Sequence, residues 1–195
     1  MAPFNQEQLN QIRDERREQI MNSALIVFSR RGIIGTKMSM IADEAGISQG
    51  LFYRYFKSKD DIFTTLIQVA IEASLSSIDD LYHADGSPLD KIKKLTESII
   101  DESKAPYFKL ILQARNSDGV PEKAKQIIRQ YPMEAYVNRL LPLFREGQNA
   151  GEIADGNLVE LISSYLTVLS GVMVLGEDYH VPQVDILMRI ITRGF

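Results

Sequence analysis

Polar, aromatic and basic side chains are concentrated between Ser48 and Tyr55, in a pattern typical of a helix that contacts a nucleic acid. A glutamine such as Gln49 can form two hydrogen bonds with the edge of an adenine in the major groove. Arg54 can bind a guanine or a phosphate, and Gly50 lets the backbone approach closely. Ser48 can cap the helix, whose free N–H groups attract phosphate. These residue types predict binding to duplex DNA.

Residues that flank this helix extend the predicted DNA-binding surface. Thr36 and Lys37 precede one helix and Lys59 begins another, at places where side chains commonly meet the phosphate backbone. Leu51 is suited to contact a thymine methyl group. The predicted DNA-binding residues are Thr36, Lys37, Ser48, Gln49, Gly50, Leu51, Tyr53, Arg54, Tyr55 and Lys59.

A helix-turn-helix pattern positions these side chains. We expect its two helices at residues 38–45 and 49–56, with Gly46 in the left-handed conformation that a tight turn requires. Ala42 is small because the second helix crosses close to it. The residues expected to pack the two helices together are Ile41, Ala45, Ile47, Phe52 and Phe56.

Helical spacing dominates the remaining sequence and predicts an all-α fold. Three helices form an N-terminal head, and six form a C-terminal body; the fourth begins at the head and runs into the body. The nine predicted helices span residues 7–31, 38–45, 49–56, 59–82, 89–104, 106–116, 121–150, 157–175 and 182–193. Pro132 and Pro142 predict a kink or break within the seventh.

Charge is distributed unevenly along the chain, whose formal net charge is −4. The residues up to Asp60 carry an excess of two positive charges, and the remainder an excess of six negative charges. A cationic head on an acidic body suits a protein that docks on DNA with one end. The polar N-terminus, the lack of cysteine and the lack of a membrane-length apolar run lead us to expect a cytoplasmic protein that spans no membrane.

Two other classes of protein, an enzyme and a helical adaptor, are alternatives to a DNA-binding protein. The sequence has two histidines, no cysteine, and no phosphate-binding loop, zinc-ligand spacing or nucleophile elbow, so we predict no enzyme activity, metal or other cofactor. A helical adaptor that binds other proteins is the second class. The polar and basic face at residues 48–55 argues against it, because that face lacks a contiguous apolar patch.

From Ile20 to Phe63 the chain resembles the DNA-binding domain of the TetR family of transcriptional regulators. The matching positions are Ala24 to Phe28, Gly32, Thr36, Ile41, Ala42, Ala45 to Ser48, Gly50, Phe52, Tyr53, Phe56, Ser58 and Lys59. The family commonly has threonine or serine at Lys37 and often histidine at Tyr55. These two departures leave the DNA half-site unpredicted.

The resemblance implies a homodimeric repressor that binds a palindromic DNA operator and is released by a small-molecule effector. It implies a helix-turn-helix domain at residues 1–58 and a ligand-binding and dimerisation domain at residues 59–195. The same fold can also activate transcription, because the sign depends on where the operator lies. We hypothesise that the ligand makes the fourth helix move the heads out of register with the DNA grooves.

The implied effector pocket lies inside the body, where several large, adaptable side chains are candidates for its lining. The alternative for each of them is an ordinary place in the core or on the surface. The predicted ligand-binding residues are Tyr107, Phe108, Leu112, Arg115, Tyr131, Met133, Tyr136 and Tyr165. Their chemistry leaves the class of effector open.

The predicted eighth helix is apolar on nearly all sides, with a stripe of small residues that would allow another helix to approach. With the ninth helix it is expected to form a four-helix interface across a two-fold axis. The predicted interface residues are Ser163, Thr167, Ser170, Gly171, Val174, Leu187, Ile190 and Ile191. The alternative is that these helices pack only within their own subunit.

Overall fold

The computed structural model describes residues 6–175 and 182–192, which form α-helices and, in this part of the chain, no β-strand. The helices are α1 (Gln6–Arg31), α2 (Met38–Glu44), α3 (Gln49–Phe52), α4 (Lys59–His83), α5 (Pro88–Ile100), α6 (Ala105–Asn116), α7 (Glu122–Gln130), α8 (Met133–Asn149), α9 (Leu158–Leu175) and α10 (Val184–Met188). A 3-10 helix at Glu102–Lys104 precedes α6. The all-α prediction is confirmed.

Local capping signals set the start of α4 as the sequence predicts. The Ser58 hydroxyl accepts a hydrogen bond from the Asp61 N–H at 3.1 Å. The Asp61 carboxylate in turn accepts from the Lys57 N–H at 3.0 Å, which satisfies a second free donor at the helix start. Both contacts lie within five residues, so sequence alone suffices to place this helix start.

Two of the predicted helices are divided in the structure, one of them at a proline. The segment at 121–150 forms two helices, α7 and α8, which are separated at Tyr131 and Pro132. A residue before proline is disfavoured in the helical region, and Tyr131 adopts φ −125° and ψ 67°. Pro142, in contrast, lies inside α8. The predicted helix at 89–104 ends at Ile100 before the 3-10 helix.

The last predicted helix, at residues 182–193, is observed as the shorter α10. Its predicted end at Arg193 lies outside the described residues. A single antiparallel bridge pairs Ile153, before α9, with Thr192, after α10.

The buried side chains form two clusters that share α4. The first contains the head helices together with parts of α4, α6 and α7, and its Phe28 and Phe63 rings meet edge to face at 5.1 Å. The second contains parts of α5, α8, α9 and α10 around Phe144 and Tyr165. Because α4 contributes Ile71 to the first cluster and Ile78 to the second, it connects the head rigidly to the body.

By length and composition alone, α4 and α9 are each long and apolar enough to cross a membrane, a property that they share with buried core helices. In α4, 50% of the apolar window is buried in the protein, as suits a helix that both clusters share. In α9 the buried share is 28%, so much of its apolar surface faces outward.

Gly46 adopts φ +63° in the turn between α2 and α3, in agreement with the sequence prediction. A Cβ atom there would meet no atom within 4 Å, so an alanine would be penalised by its backbone conformation alone. We expect Gly46→Ala to lower the free energy of unfolding by roughly 1–2 kcal/mol, as measured by urea denaturation.

Gly50→Ala is the matched control for that measurement. Gly50 also has open space around it, but it lies within α3, where alanine is the better helix former. Its free energy of unfolding should stay unchanged or rise by up to about 1 kcal/mol. Equal losses in the two variants would contradict the conformational explanation.

Candidate DNA-binding surface and ligand cavity

The turn between α2 and α3 is held from both sides. The Gln19 side chain on α1 donates from Nε2 to the Ala45 carbonyl at 2.8 Å, at the C-terminal end of α2. The Ile47 N–H donates to the Ala42 carbonyl at 3.0 Å across the turn. Ile41, Ala42 and Ala45 are buried as predicted. These contacts fix the orientation of α3 relative to α2.

Capping and tight terminal turns define the recognition helix α3. The Ser48 hydroxyl accepts from the Leu51 N–H at 3.2 Å, which confirms the predicted cap. At the other end the Arg54 N–H donates to the Leu51 carbonyl and the Tyr55 N–H to the Phe52 carbonyl. These bonds span three residues rather than four, so regular α-helix ends at Phe52 instead of the predicted residue 56.

One side of α3 is buried and the other is open to solvent. Phe52 and Phe56 are 1% and 2% exposed and pack in the first cluster. Leu51 is half-buried, and Tyr55, also half-buried, packs against that cluster. The predicted DNA-binding residues that are exposed are Lys37, Ser48, Gln49, Gly50, Tyr53 and Arg54. Apart from Lys37, which precedes α2, these residues lie in α3 or directly beside it, and they are hereafter called the α3 surface.

Thr36 and Lys59 occupy a different setting from the rest of the predicted set. Thr36 is 2% exposed, and its hydroxyl donates to the Gly32 carbonyl at 2.7 Å. The Lys59 ammonium donates to the carbonyls of Ile33, at 2.7 Å, and Thr36, at 3.1 Å. In this conformation both side chains hold the loop after α1 against the start of α4.

The body contains a cavity of about 340 Å³. Six predicted ligand-binding residues line it: Tyr107, Phe108, Leu112, Arg115, Met133 and Tyr136. The resemblance implied a pocket among the fourth to eighth predicted helices, but the prediction named no lining residue of α4 or α5 and only Tyr165 of α9. The further lining residues are Val69, Ala70, Ala73, Ser74, Ser77, Ile78, Leu95, Ser98, Ile99, Lys104, Ile111, Leu166, Leu169 and Ser170. The helical spacing of small residues in α4, at positions 70, 73, 74 and 77, is the signal that would have indicated its cavity-facing side.

Tyr131 and Tyr165 do not line the cavity, so two predicted contacts are differently placed. Tyr165 is fully buried in the second cluster, where its hydroxyl lies 2.7 Å from the Thr96 hydroxyl. Burial raises the pKa of Tyr165 above its usual range. Tyr131 ends α7 through a hydrogen bond from its N–H to the Ile128 carbonyl at 3.2 Å. Tyr165 therefore contributes to the core, and Tyr131 to the end of α7.

α6 connects the cavity to the head. The Gln113 side chain donates from Nε2 to the Ser29 carbonyl of α1 at 3.0 Å. Its buried Oε1 has no hydrogen-bond partner among the described residues. Since Leu112, the preceding residue, lines the cavity, one helix contacts both the cavity and the head.

The outward side of α9 is apolar and exposed. Val168, Val174 and Leu175 are 37%, 52% and 51% exposed, and a Cβ atom at Gly171 would meet nothing within 4 Å. Other predicted interface residues lie elsewhere: Ser170 lines the cavity, and Leu187 and Ile191 are buried in the second cluster of their own chain. Of the predicted set, the exposed residues are Thr167, Gly171 and Val174, with Ser163 and Ile190 half-buried.

The head of the chain resembles a known family of proteins. Residues 20–66 match the sequence profile of the bacterial regulatory proteins of the tetR family. The chain is 26% identical over 188 residues to the uncharacterized HTH-type transcriptional regulator YerO of Bacillus subtilis, an alignment that covers 92% of this chain and 63% of YerO. It is 28% identical over 160 residues to the HTH-type transcriptional repressor NicS of Pseudomonas putida, covering 80% of this chain and 74% of NicS.

The fold extends this likeness over the body. A TetR-family transcriptional regulator from Agrobacterium tumefaciens superposes with a TM-score of 0.74 at 17% identity, covering 92% of this chain and 98% of that chain. A helix-turn-helix head on this helical body defines a DNA-binding transcriptional regulator rather than an enzyme. Residues 20–66 match the DNA-binding part of the tetR family of bacterial regulatory proteins, as the sequence predicts, and the chain as a whole resembles transcriptional regulators of that family.

Proposed function

We propose that the chain is a cytoplasmic, homodimeric repressor that binds a palindromic operator through the α3 surface and is released by a small-molecule effector in the cavity. One observation carries the proposal: α4 and α6 both line the cavity and both contact the head. The similarity to NicS, which is named as a repressor, supports the sign of the regulation.

The proposed release works through the positions of these two helices. An effector changes how far α4 and α6 stand apart, and Lys59 and Gln113 carry that change to the loop after α1 and to α1 itself. Two recognition helices in a dimer must lie about 34–36 Å apart to enter successive major grooves. A small change in head position therefore lowers DNA affinity. By linkage, DNA lowers effector affinity by the same factor.

The proposed dimer uses the outward side of α9. A two-fold axis beside this helix would bring its exposed valines, together with Leu175, against the same residues of a second copy. Gly171 and Thr167 would let the two helices approach closely. Leu187 and Ile191 would support this interface from beneath, because they are buried within their own subunit.

Titration of the purified protein onto DNA from upstream of its own gene, and onto a scrambled duplex, tests the proposed function. We expect binding to the native fragment about 10³-fold or more tighter than to the scrambled duplex, with two subunits or a multiple of two per site. Equal and steeply salt-sensitive binding to both duplexes would reflect only phosphate contacts and would contradict a specific operator in this fragment.

A further inference from the structure

Both charged residues that line the cavity are cationic. Lys104 and Arg115 contribute to the lining, whereas no aspartate or glutamate does. Neither cation forms a salt bridge within the described part of the chain. The other polar groups of the lining are serine and tyrosine hydroxyls, which are neutral. This distribution favours an anionic ligand over a neutral or cationic one.

The cavity lining includes residues along the whole length of α6. Lys104 directly precedes this helix and Arg115 lies in its last turn. At a rise of 1.5 Å per residue their backbones are on the order of 16 Å apart. The α6 side chains between them that face the cavity are Tyr107, Phe108, Ile111 and Leu112. A narrow apolar chain fits this space better than a compact polar molecule.

The cavity volume sets the length of that chain. If each methylene takes roughly the 30 Å³ that one water occupies in the liquid, the volume corresponds to on the order of ten carbon atoms. The cavity volume is about 340 Å³. A chain of medium length therefore fills the cavity.

The two ends of α6 differ in how they would receive a negative charge. At the first end the Lys104 ammonium donates to the Ser98 hydroxyl, and both residues line the cavity. This is the positive end of the α6 dipole, and no side chain caps it. The nearby Asp101 carboxylate lies outside the lining, where it accepts the Ser103 N–H at 2.9 Å and interacts electrostatically with Lys104 without forming a salt bridge to it.

The opposite end is less favourable to an anion. Arg115 lies at the negative end of the same dipole, and its guanidinium donates to the Tyr131 carbonyl at 3.0 Å. Part of its charge is thus balanced by carbonyl oxygens. The negative group of a ligand is better stabilised beside Lys104.

We infer that the cavity binds an aliphatic carboxylate of medium chain length. The carboxylate accepts hydrogen bonds from the Lys104 ammonium and the Ser98 hydroxyl, which lie side by side, and the tail follows α6 towards Met133. This inference rests on the proposed function, because the same cavity is assigned there to the effector.

Isothermal titration of the full chain with three probes that share a ten-carbon tail tests the ligand class. We expect decanoate to bind about tenfold more tightly than 1-decanol, and decyltrimethylammonium to bind least tightly, because only the carboxylate gains a charge-assisted hydrogen bond. The preference for decanoate should shrink as ionic strength rises. Equal binding of decanoate and decanol, or no binding of decanoate, would overturn the inference.

Two matched variants locate the carboxylate. Lys104→Met should remove most of the tenfold preference, whereas Arg115→Met should retain it, and both residues are exposed enough to be replaced without opening the core. Ser98→Ala should reduce the preference by a smaller factor, about threefold. Loss of the preference in the Arg115 variant alone would show that the ligand carboxylate binds at the Arg115 end of the cavity and would contradict the assignment.

Release of operator DNA is measured in a separate experiment. The proposed ligand class and the proposed release mechanism can then be tested independently. If decanoate binds with the expected preference and DNA affinity is unchanged at saturation, the ligand class stands and the proposed release is wrong. If decanoate fails to bind while another compound releases the DNA, the ligand class is wrong and the proposed function stands.

Discussion

Gln49→Ala is expected to weaken binding of the dimer to its own operator by about 2–6 kcal/mol, or roughly 30-fold and more. Gln49 is exposed in the first turn of α3, where a side chain reaches a base edge. A bidentate contact is worth about 1–3 kcal/mol of discrimination, and the dimer uses the residue once in each half-site. Titration of operator and scrambled duplexes measures the loss, which should be confined to the operator.

Arg54→Ala separates base recognition from phosphate binding. If Arg54 binds phosphate, its removal should weaken binding to both duplexes and lower the salt slope by about two, one for each subunit. Gln130→Ala, at an exposed position at the end of α7, is the matched control and should bind as the unaltered protein does.

A Gln49 variant that binds operator normally would show that α3 reads the bases through other residues.

Gly171→Arg is expected to convert the proposed dimer to a monomer and to lower operator affinity by about 10²-fold or more, because the second head loses its high effective concentration. A side chain at this position meets nothing within 4 Å in the single chain, so the protomer should fold normally. In a two-fold interface, however, each arginine would face its symmetry mate across an apolar surface, with an unpaired charge. Analytical ultracentrifugation and DNA titration measure the two effects.

Asn149→Arg, at the exposed C-terminal end of α8, adds the same charge away from α9 and serves as the control. It should remain dimeric and bind operator normally. A Gly171→Arg protein that sediments as a dimer would exclude this part of α9 from the interface. If both variants become monomeric, the added charge rather than its position would be responsible.

Much of the head could be predicted from the sequence because its determinants are local. The serine cap of α3, the left-handed Gly46 and the cap of α4 all act within a few residues. Apolar spacing also identified the buried side chains Ile41 and Phe52. Together these features determined the helix-turn-helix and, through it, the family.

The tertiary structure alone decided which side chains from distant segments contact one another. Lys59 donates to a carbonyl 26 residues away, which gives it a loop-holding contact that its place in the sequence motif does not reveal. Tyr165 and Tyr107 are alike in sequence terms, yet one is buried beside Thr96 and the other lines the cavity. Which side of an apolar helix faces a cavity, a core or a second copy depends on how neighbouring helices pack. That packing depends on contacts between residues far apart in the chain, which helical periodicity does not specify.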